Sequence, residues 1–163
     1  MIMQKTSHPF IIKYVEEFLY QNKTLCIVTE FANGGDFEQF MKMKKHFSEK
    51  EALYYFTMLL IALEYLHLKG IIHRDFKPSN ILIQKYDGDI NILKVGDFGI
   101  SKADIENIKK TITTTLKGST TPAYKAPEVI RGNDPSAKVD IWALGVILYR
   151  LIAALKYPFG EKN

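Results

Sequence analysis

Residues 48–70 constrain this chain more than any other stretch. Ser48-Glu49-Lys50-Glu51 is a capping box: the Ser48 hydroxyl can accept the Glu51 amide while the Glu51 carboxylate reaches back to the Ser48 amide. Behind it Leu53, Phe56, Leu59, Leu60, Leu63, Leu66 and His67 recur at spacings of three and four, and Gly70 closes the run. The spacing predicts one long amphipathic helix, largely buried. A buried helix needs a core around it. At 47 % hydrophobic and 12 % aromatic residues the chain has the material for one, which excludes wholesale disorder.

Asp140 to Leu155 is a second helix by pattern, apolar nearly all round and so expected to be covered on most sides. Its apolar block is interrupted by Arg150 and is too short to span a membrane. Upstream, Phe10–Tyr20 and Lys23–Phe31 are rich in Ile, Val, Phe and Tyr and flank Gln21-Asn22, which predicts two antiparallel strands joined by a tight turn. Asn33-Gly34-Gly35 breaks the chain, and Asp36 with Gln39 starts a short helix reaching about Lys45. Ile81–Gln84 and Ile90–Val95 flank the turn Asp87-Gly88-Asp89 and predict a small hairpin. Residues 101–125 are polar, threonine-rich and aperiodic, a long loop of the kind that carries function. Strands, then helices, a hairpin, a long loop and a core helix make an α+β arrangement.

Composition narrows the class further. Cys26 is the single cysteine, so an internal disulfide and a multi-cysteine zinc site are both excluded. Met1 to His8 has no apolar core of a secretory signal, and the default is a reduced, cytoplasmic protein, with a nuclear one equally compatible. A net charge of +4 spread along the chain is too mild for a nucleic-acid stripe. Lys42-Met43-Lys44-Lys45 reads as a solvated helix end, and Cys26 and Trp142 read as core residues.

His73-Arg74-Asp75-Phe76-Lys77-Pro78-Ser79-Asn80, then Asp97-Phe98-Gly99, then Ala126-Pro127-Glu128 resembles the protein-kinase signature set, in its order and across essentially the whole chain. The resemblance implies a kinase-like fold and transfer of the γ-phosphoryl group of ATP, with Mg²⁺, to protein hydroxyls. The chemistry suits the residue types. Phosphoryl transfer needs an aligned nucleophile, cations on the phosphates and exclusion of water. Asp75 can accept the proton of the acceptor hydroxyl, Lys77 can neutralise the transferring group, and Asn80 offers Mg²⁺ a neutral oxygen. Asp97 supplies the hard anionic ligand at the end of a strand, with Gly99 permitting a sharp turn after it.

By the same resemblance His73 is a packing residue under Phe98 rather than a general base, and Asp140 accepts backbone amides of the catalytic loop. Thr29 is similar to the gatekeeper position. Glu30 and Ala32 would offer backbone groups to the adenine edge, Leu82 the apolar floor, and Asp36 a carboxylate near the ribose. Lys77, two residues after Asp75, is similar to the serine/threonine branch, and Thr121 resembles its loop threonine. Ser119-Thr120 separate Gly118 from Thr121-Pro122 by two residues more than the family pattern has. Arg74 resembles the arginine that pairs with a phosphate on the activation loop, with Thr111, Thr113, Thr114 and Thr115 as candidates. Gly96–Lys102 and Asp140–Gly145 are reminiscent of the NIMA-related group.

No Gly-x-Gly-x-x-Gly occurs among the ten glycines, and no Val-Ala-Ile-Lys-like strand is present. Against the resembled family, residues 1–31 match the end of the smaller lobe (the end of a helix and the last two strands). Residues 32–163 match the hinge and a partial larger lobe. A kinase domain takes roughly 250 residues, so 163 amounts to about two thirds of one. The expectations follow: an uncovered apolar face on helix 140–155, a Glu128 that is partly exposed or protonated for want of its arginine, and weak nucleotide binding with little transfer by residues 1–163 alone. The rival is a kinase-like interaction module that binds protein partners without catalysis.

Overall fold

The computed structural model describes residues 3–21, 23–87, 90–97 and 122–159. A hairpin of β1 (Tyr14–Tyr20) and β2 (Thr24–Thr29) leads into helix α1 (Phe37–Lys44) and the long helix α2 (Glu49–Leu68). A second hairpin is made of β3 (Ile81–Tyr86) and β4 (Ile90–Val95), and the later described residues form the one-turn helix α3 (Pro127–Ile130) and α4 (Lys138–Ile152). Both hairpins are antiparallel and two-stranded.

The capping box at Ser48 forms in full. The Glu51 amide donates to the Ser48 hydroxyl at 3.3 Å, and the Glu51 carboxylate accepts the Ser48 amide at 2.9 Å. The buried face of α2 is Ala52, Tyr55, Met58, Leu59, Ala62, Leu63 and Leu66. It is turned by about one position from the expected stripe: Leu53 and Leu60 are 48 % and 42 % exposed. The reason is that α2 is apolar on several sides, so close packing selects the face. Ala52 and Ala62 are fully buried where larger side chains would hold the neighbours away.

The first strand begins four residues later than expected, at Tyr14. Phe10–Ile12 pairs elsewhere: the Ile12 amide donates to the Val95 carbonyl and the Val95 amide to the Phe10 carbonyl, both at 2.9 Å. A single stretch thus serves two sheets, and it places the end of β4 beside the first hairpin. That hairpin leaves Val15, Phe18, Leu19, Leu25 and Ile27 exposed, and Cys26 is half-buried rather than in the core. Helix α4 starts at Lys138, two residues before the expected point, and shows the expected apolar face at Ile141, Tyr149 and Ile152. Trp142 is partly buried and stacks on Phe159 at 5.2 Å.

Between the hairpins, Gly34 and Gly35 run against β3. The Gly34 amide donates to the Ile83 carbonyl at 2.7 Å, and the Ile83 amide to the Gly35 carbonyl at 2.9 Å. A Cβ on Gly34 would lie 2.7 Å from Ile83 Cγ2 and 2.8 Å from the Ile83 carbonyl oxygen. The backbone oxygen cannot move aside cheaply, so Gly34→Ala is expected to destabilise the protein by about 2 kcal/mol. A urea-unfolding midpoint that does not fall would contradict this close approach.

Candidate active site

The site is organised from beneath by Asp140, in the first turn of α4, whose residue is 1 % exposed. Its Oδ1 accepts the Arg74 amide at 2.8 Å; its Oδ2 accepts the His73 amide at 2.9 Å and lies 2.8 Å from His67 Nε2. Two successive amides aimed at one carboxylate demand a sharp backbone turn, and Arg74 takes φ of 70° to make it. The His73 ring, fully buried, lies edge-on to Phe76. Its Nδ1 accepts the Asp75 amide at 3.3 Å, so Nε2 carries the hydrogen and donates to the Gly96 carbonyl at 2.9 Å. With both ring nitrogens so engaged, His73 is a strut between the loop and the end of β4. Its expected neighbour Phe98 lies outside the described residues.

On this base the polar groups converge. Asp75 Oδ2 accepts Lys77 Nζ at 2.7 Å and Asn80 Nδ2 at 2.9 Å; Asn80 Nδ2 also donates to the Asp75 carbonyl at 2.9 Å. Lys77 is extended, which carries its amine back alongside Asp75, and both side chains keep some solvent access. Since the Asn80 amide nitrogen is committed to Asp75, its Oδ1 is left as an acceptor. The Gly96 amide donates to the Asn80 carbonyl at 2.9 Å, so Asp97 follows within one residue of that junction. Asp97 is exposed at φ 51°.

The donor set fits Mg²⁺, which takes one or two carboxylates and completes its shell with water and phosphate oxygens. Asn80 and Asp97 are the residues that would hold it. Among the described residues no cluster of three or more His, Cys, Asp and Glu forms, so nothing there resembles an all-protein metal cage.

The residues expected on the nucleotide side lie at the end of β2, in the link to α1 and on β3. Thr29, half-buried at the end of β2, donates its hydroxyl to the Glu30 carbonyl at 3.1 Å. The Glu30 amide is used by the Lys13 carbonyl at 2.9 Å. Leu82 is partly buried, lies beside Gly96 and bridges Asp36. Asp36 commits both carboxylate oxygens to Gln39, at 2.9 Å to its amide and 2.7 Å to its side chain, so a ribose hydroxyl would use the remaining lone pairs. Ala32 packs at the margin of the core.

Two residues not singled out from the sequence, His67 and Lys94, join site residues here, and two more, Glu38 and Arg150, pair nearby. His67, read as one more position of a helical stripe, is an Asp140 partner. Lys94 is buried and pairs with Glu30 Oε1 at 2.8 Å. Burial raises the Glu30 pKa, but the Lys94 hydrogen bond and the Lys13 amide outweigh it and hold the carboxyl below its ordinary 4.5. Glu38 and Arg150 form a buried ion pair beyond the site. No sequence signal marked any of these pairings, because their partners are 64 to 112 residues apart.

Arg74 Nε and Nη2 are buried and have no hydrogen-bond partner among the described residues. Burial lowers the Arg74 pKa against the opposing pull of Asp140 and Asp134. Glu128 is half-buried and makes no ion pair among the described residues. Thr111, Thr113, Thr114, Thr115 and Thr121 lie outside the described residues, as do Gly118-Ser119-Thr120 and the turn residues Gly88 and Asp89.

Comparison with known proteins bears on this geometry. A family model described as "Protein kinase domain" matches residues 1–163. The chain is 39 % identical over 171 residues to the serine/threonine-protein kinase nekl-2 of Caenorhabditis elegans, covering 99 % of this chain and 45 % of that protein. It is 40 % identical to the serine/threonine-protein kinase Nek8 of Danio rerio, covering 99 % of this chain and 22 % of that one. A RAC serine/threonine-protein kinase of Drosophila melanogaster is 39 % identical over 99 % of the chain, so identity does not separate Nek-named from RAC-named kinases. Among solved structures, the Rad53 kinase domain with SCD2 in complex with AMPPNP superposes with a TM-score of 0.76 at 31 % identity. That match covers 99 % of this chain and 55 % of the solved one. The chain thus spans about half or less of these proteins.

Removal of the Asp140 carboxylate leaves the His73 and Arg74 amides buried without an acceptor. Asp140→Ala is expected to cost about 3 kcal/mol, read as a lower urea midpoint with an unchanged slope. An unchanged midpoint would remove Asp140 from its place under the loop.

Proposed function

From the premise that this chain belongs to the protein kinase domain family, we propose that it carries the catalytic loop of a protein serine/threonine kinase. That enzyme moves the γ-phosphoryl group of ATP to serine or threonine hydroxyls of protein substrates. The observation that carries the reading is the constellation at Asp75: one carboxylate oxygen held by both Lys77 Nζ and Asn80 Nδ2, on a loop anchored to a buried carboxylate.

The roles follow from the contacts. Asp75 orients the acceptor hydroxyl and takes its proton as the oxygen attacks phosphorus. Lys77, 2.7 Å from Asp75, places a positive charge where the transferring group gathers negative charge. Asn80 and Asp97 would hold Mg²⁺, which would neutralise phosphate oxygens. Glu30 and Ala32 present the backbone edge to adenine beneath Thr29, Leu82 supplies the floor, and Asp36 faces the ribose. Glu128 and Asp140 are structural. An interaction module without catalysis would have no use for the Asp75–Lys77–Asn80 arrangement.

Regulation is part of the same reading. Arg74 offers guanidinium nitrogens with no partner among the described residues, the chemistry of a phosphate receptor. Phosphorylation of the threonines at 111, 113, 114 and 115 would supply that anion.

Two outcomes are expected. In a chain containing these residues that phosphorylates a serine/threonine acceptor, Asp75→Asn lowers kcat by about 10²–10⁴-fold and leaves the KM for ATP nearly unchanged; an unaltered kcat would take Asp75 out of the mechanism. Replacing all four threonines by alanine is expected to abolish the gain in kcat that phosphorylation brings. If the alanine variant matches the phosphorylated parent, Arg74 has another task.

A further inference from the structure

Arg150 is a charged residue inside the core, 3 % exposed, in the last turn of α4. A guanidinium there is tolerated only when its donors are matched, and these are. Nη1 and Nη2 fork onto Glu38 Oε2 and Oε1 at 2.6 and 3.0 Å, Nη1 also donates to the Tyr124 hydroxyl, and Nε donates to the Leu155 carbonyl at 3.4 Å. The Tyr157 ring lies 4.6 Å from the guanidinium carbon. Burial disfavours both charges, yet the shared hydrogen bonds win, lowering the Glu38 pKa and raising that of Arg150.

The partners come from separate elements that share the core, and Arg150 is the side chain that hydrogen-bonds to both. Glu38 lies in α1, two residues past the Asp36 cap on the nucleotide side. Tyr124 lies in the single turn Pro122–Tyr124, just before α3. The backbone hydrogen bonds from Lys125 to Pro122 and from Val129 to Ala126 are local and tie that stretch to itself. Asp140 and Arg150 stand on the same helix, ten residues and about 15 Å apart along its axis. The near end of α4 holds the catalytic loop, and the far end holds α1 and the Tyr124 turn.

We propose that Arg150 is a positioning residue that locks helix α1 and the Pro122–Lys125 segment to α4 as one unit. Two surfaces flanking the phosphoryl-transfer site are thereby set from the helix that sets the catalytic loop. What the unit is for rests on the kinase reading above. That the unit exists does not, and it is tested without activity.

The test is amide hydrogen exchange on the whole chain, in a cycle of Glu38→Gln with Arg150→Met, or with Arg150→Lys should the methionine variant not fold. Glu38 touches neither Lys125 nor Val129 among the contacts above. In the parent background E38Q is expected to speed exchange at Lys125 and Val129 by about tenfold while Leu59 and Leu63 in α2 stay protected. In the Arg150-substituted background E38Q adds nothing further at Lys125 and Val129, because the connection is already cut. The proposal is overturned if E38Q acts equally in both backgrounds, if its effect stays within α1, or if exchange rises evenly with Leu59 and Leu63 included. A kinase reading that failed by Asp75→Asn would leave this result standing.

Discussion

One buried carboxylate sets the geometry on which the site depends. Asp140, 1 % exposed, receives the amides of His73 and Arg74 and the ring of His67. In a low-dielectric setting these charge-assisted bonds are stronger than the same contacts at the surface. They hold a left-handed turn at Arg74 that the chain would not keep by local preference. Everything above that turn inherits its position: the Asp75 carboxylate, the Lys77 amine folded onto it and the Asn80 amide locked beneath it. His73 transmits the same constraint sideways to Gly96, next to Asp97.

The side proposed to meet the nucleotide is organised by a different means. Here backbone pairing does the work: Gly34 and Gly35 run along Ile83, and Phe10–Ile12 runs along Val95. Glu30 is drawn in by the buried amine of Lys94, which joins the end of the first hairpin to the strand that ends beside Asp97. Two ion pairs, Glu30–Lys94 and Glu38–Arg150, thus bracket the site, and each joins segments far apart in the chain. Neither is a surface pair, so each depends on full hydrogen-bond partnership to repay the desolvation of its charges.

Much of this was legible in the amino-acid order, for physical reasons that act locally. The Ser48 capping box and the Asp36 cap depend on neighbours within a few positions, and they appear where the pattern places them. Asp75, Lys77, Asn80 and Asp97 stood out because their spacing resembles the kinase signature, and the structure brings the first three together. The face of α2 was not: Leu53 and Leu60 are as apolar as Leu59 and Leu63, and a helix greasy on several sides does not reveal which side its neighbours will choose. The start of β1 was misplaced because Phe10–Ile12 looks like a strand in either pairing. Arg150 interrupted an apolar block with no hint that Glu38 and Tyr124 would meet it there.

By itself the sequence determined the two hairpins, the three longer helices, the caps at Asp36 and Ser48, the kinase signature residues and the family to which they belong, since each rests on local hydrogen-bonding rules or on short spacings. Tertiary structure alone decided which face of α2 is buried, which strand Phe10–Ile12 joins, and which distant charges neutralise one another. Those outcomes turn on packing and on desolvation. Both are properties of surfaces brought together from opposite ends of the chain, and no window along the sequence contains them.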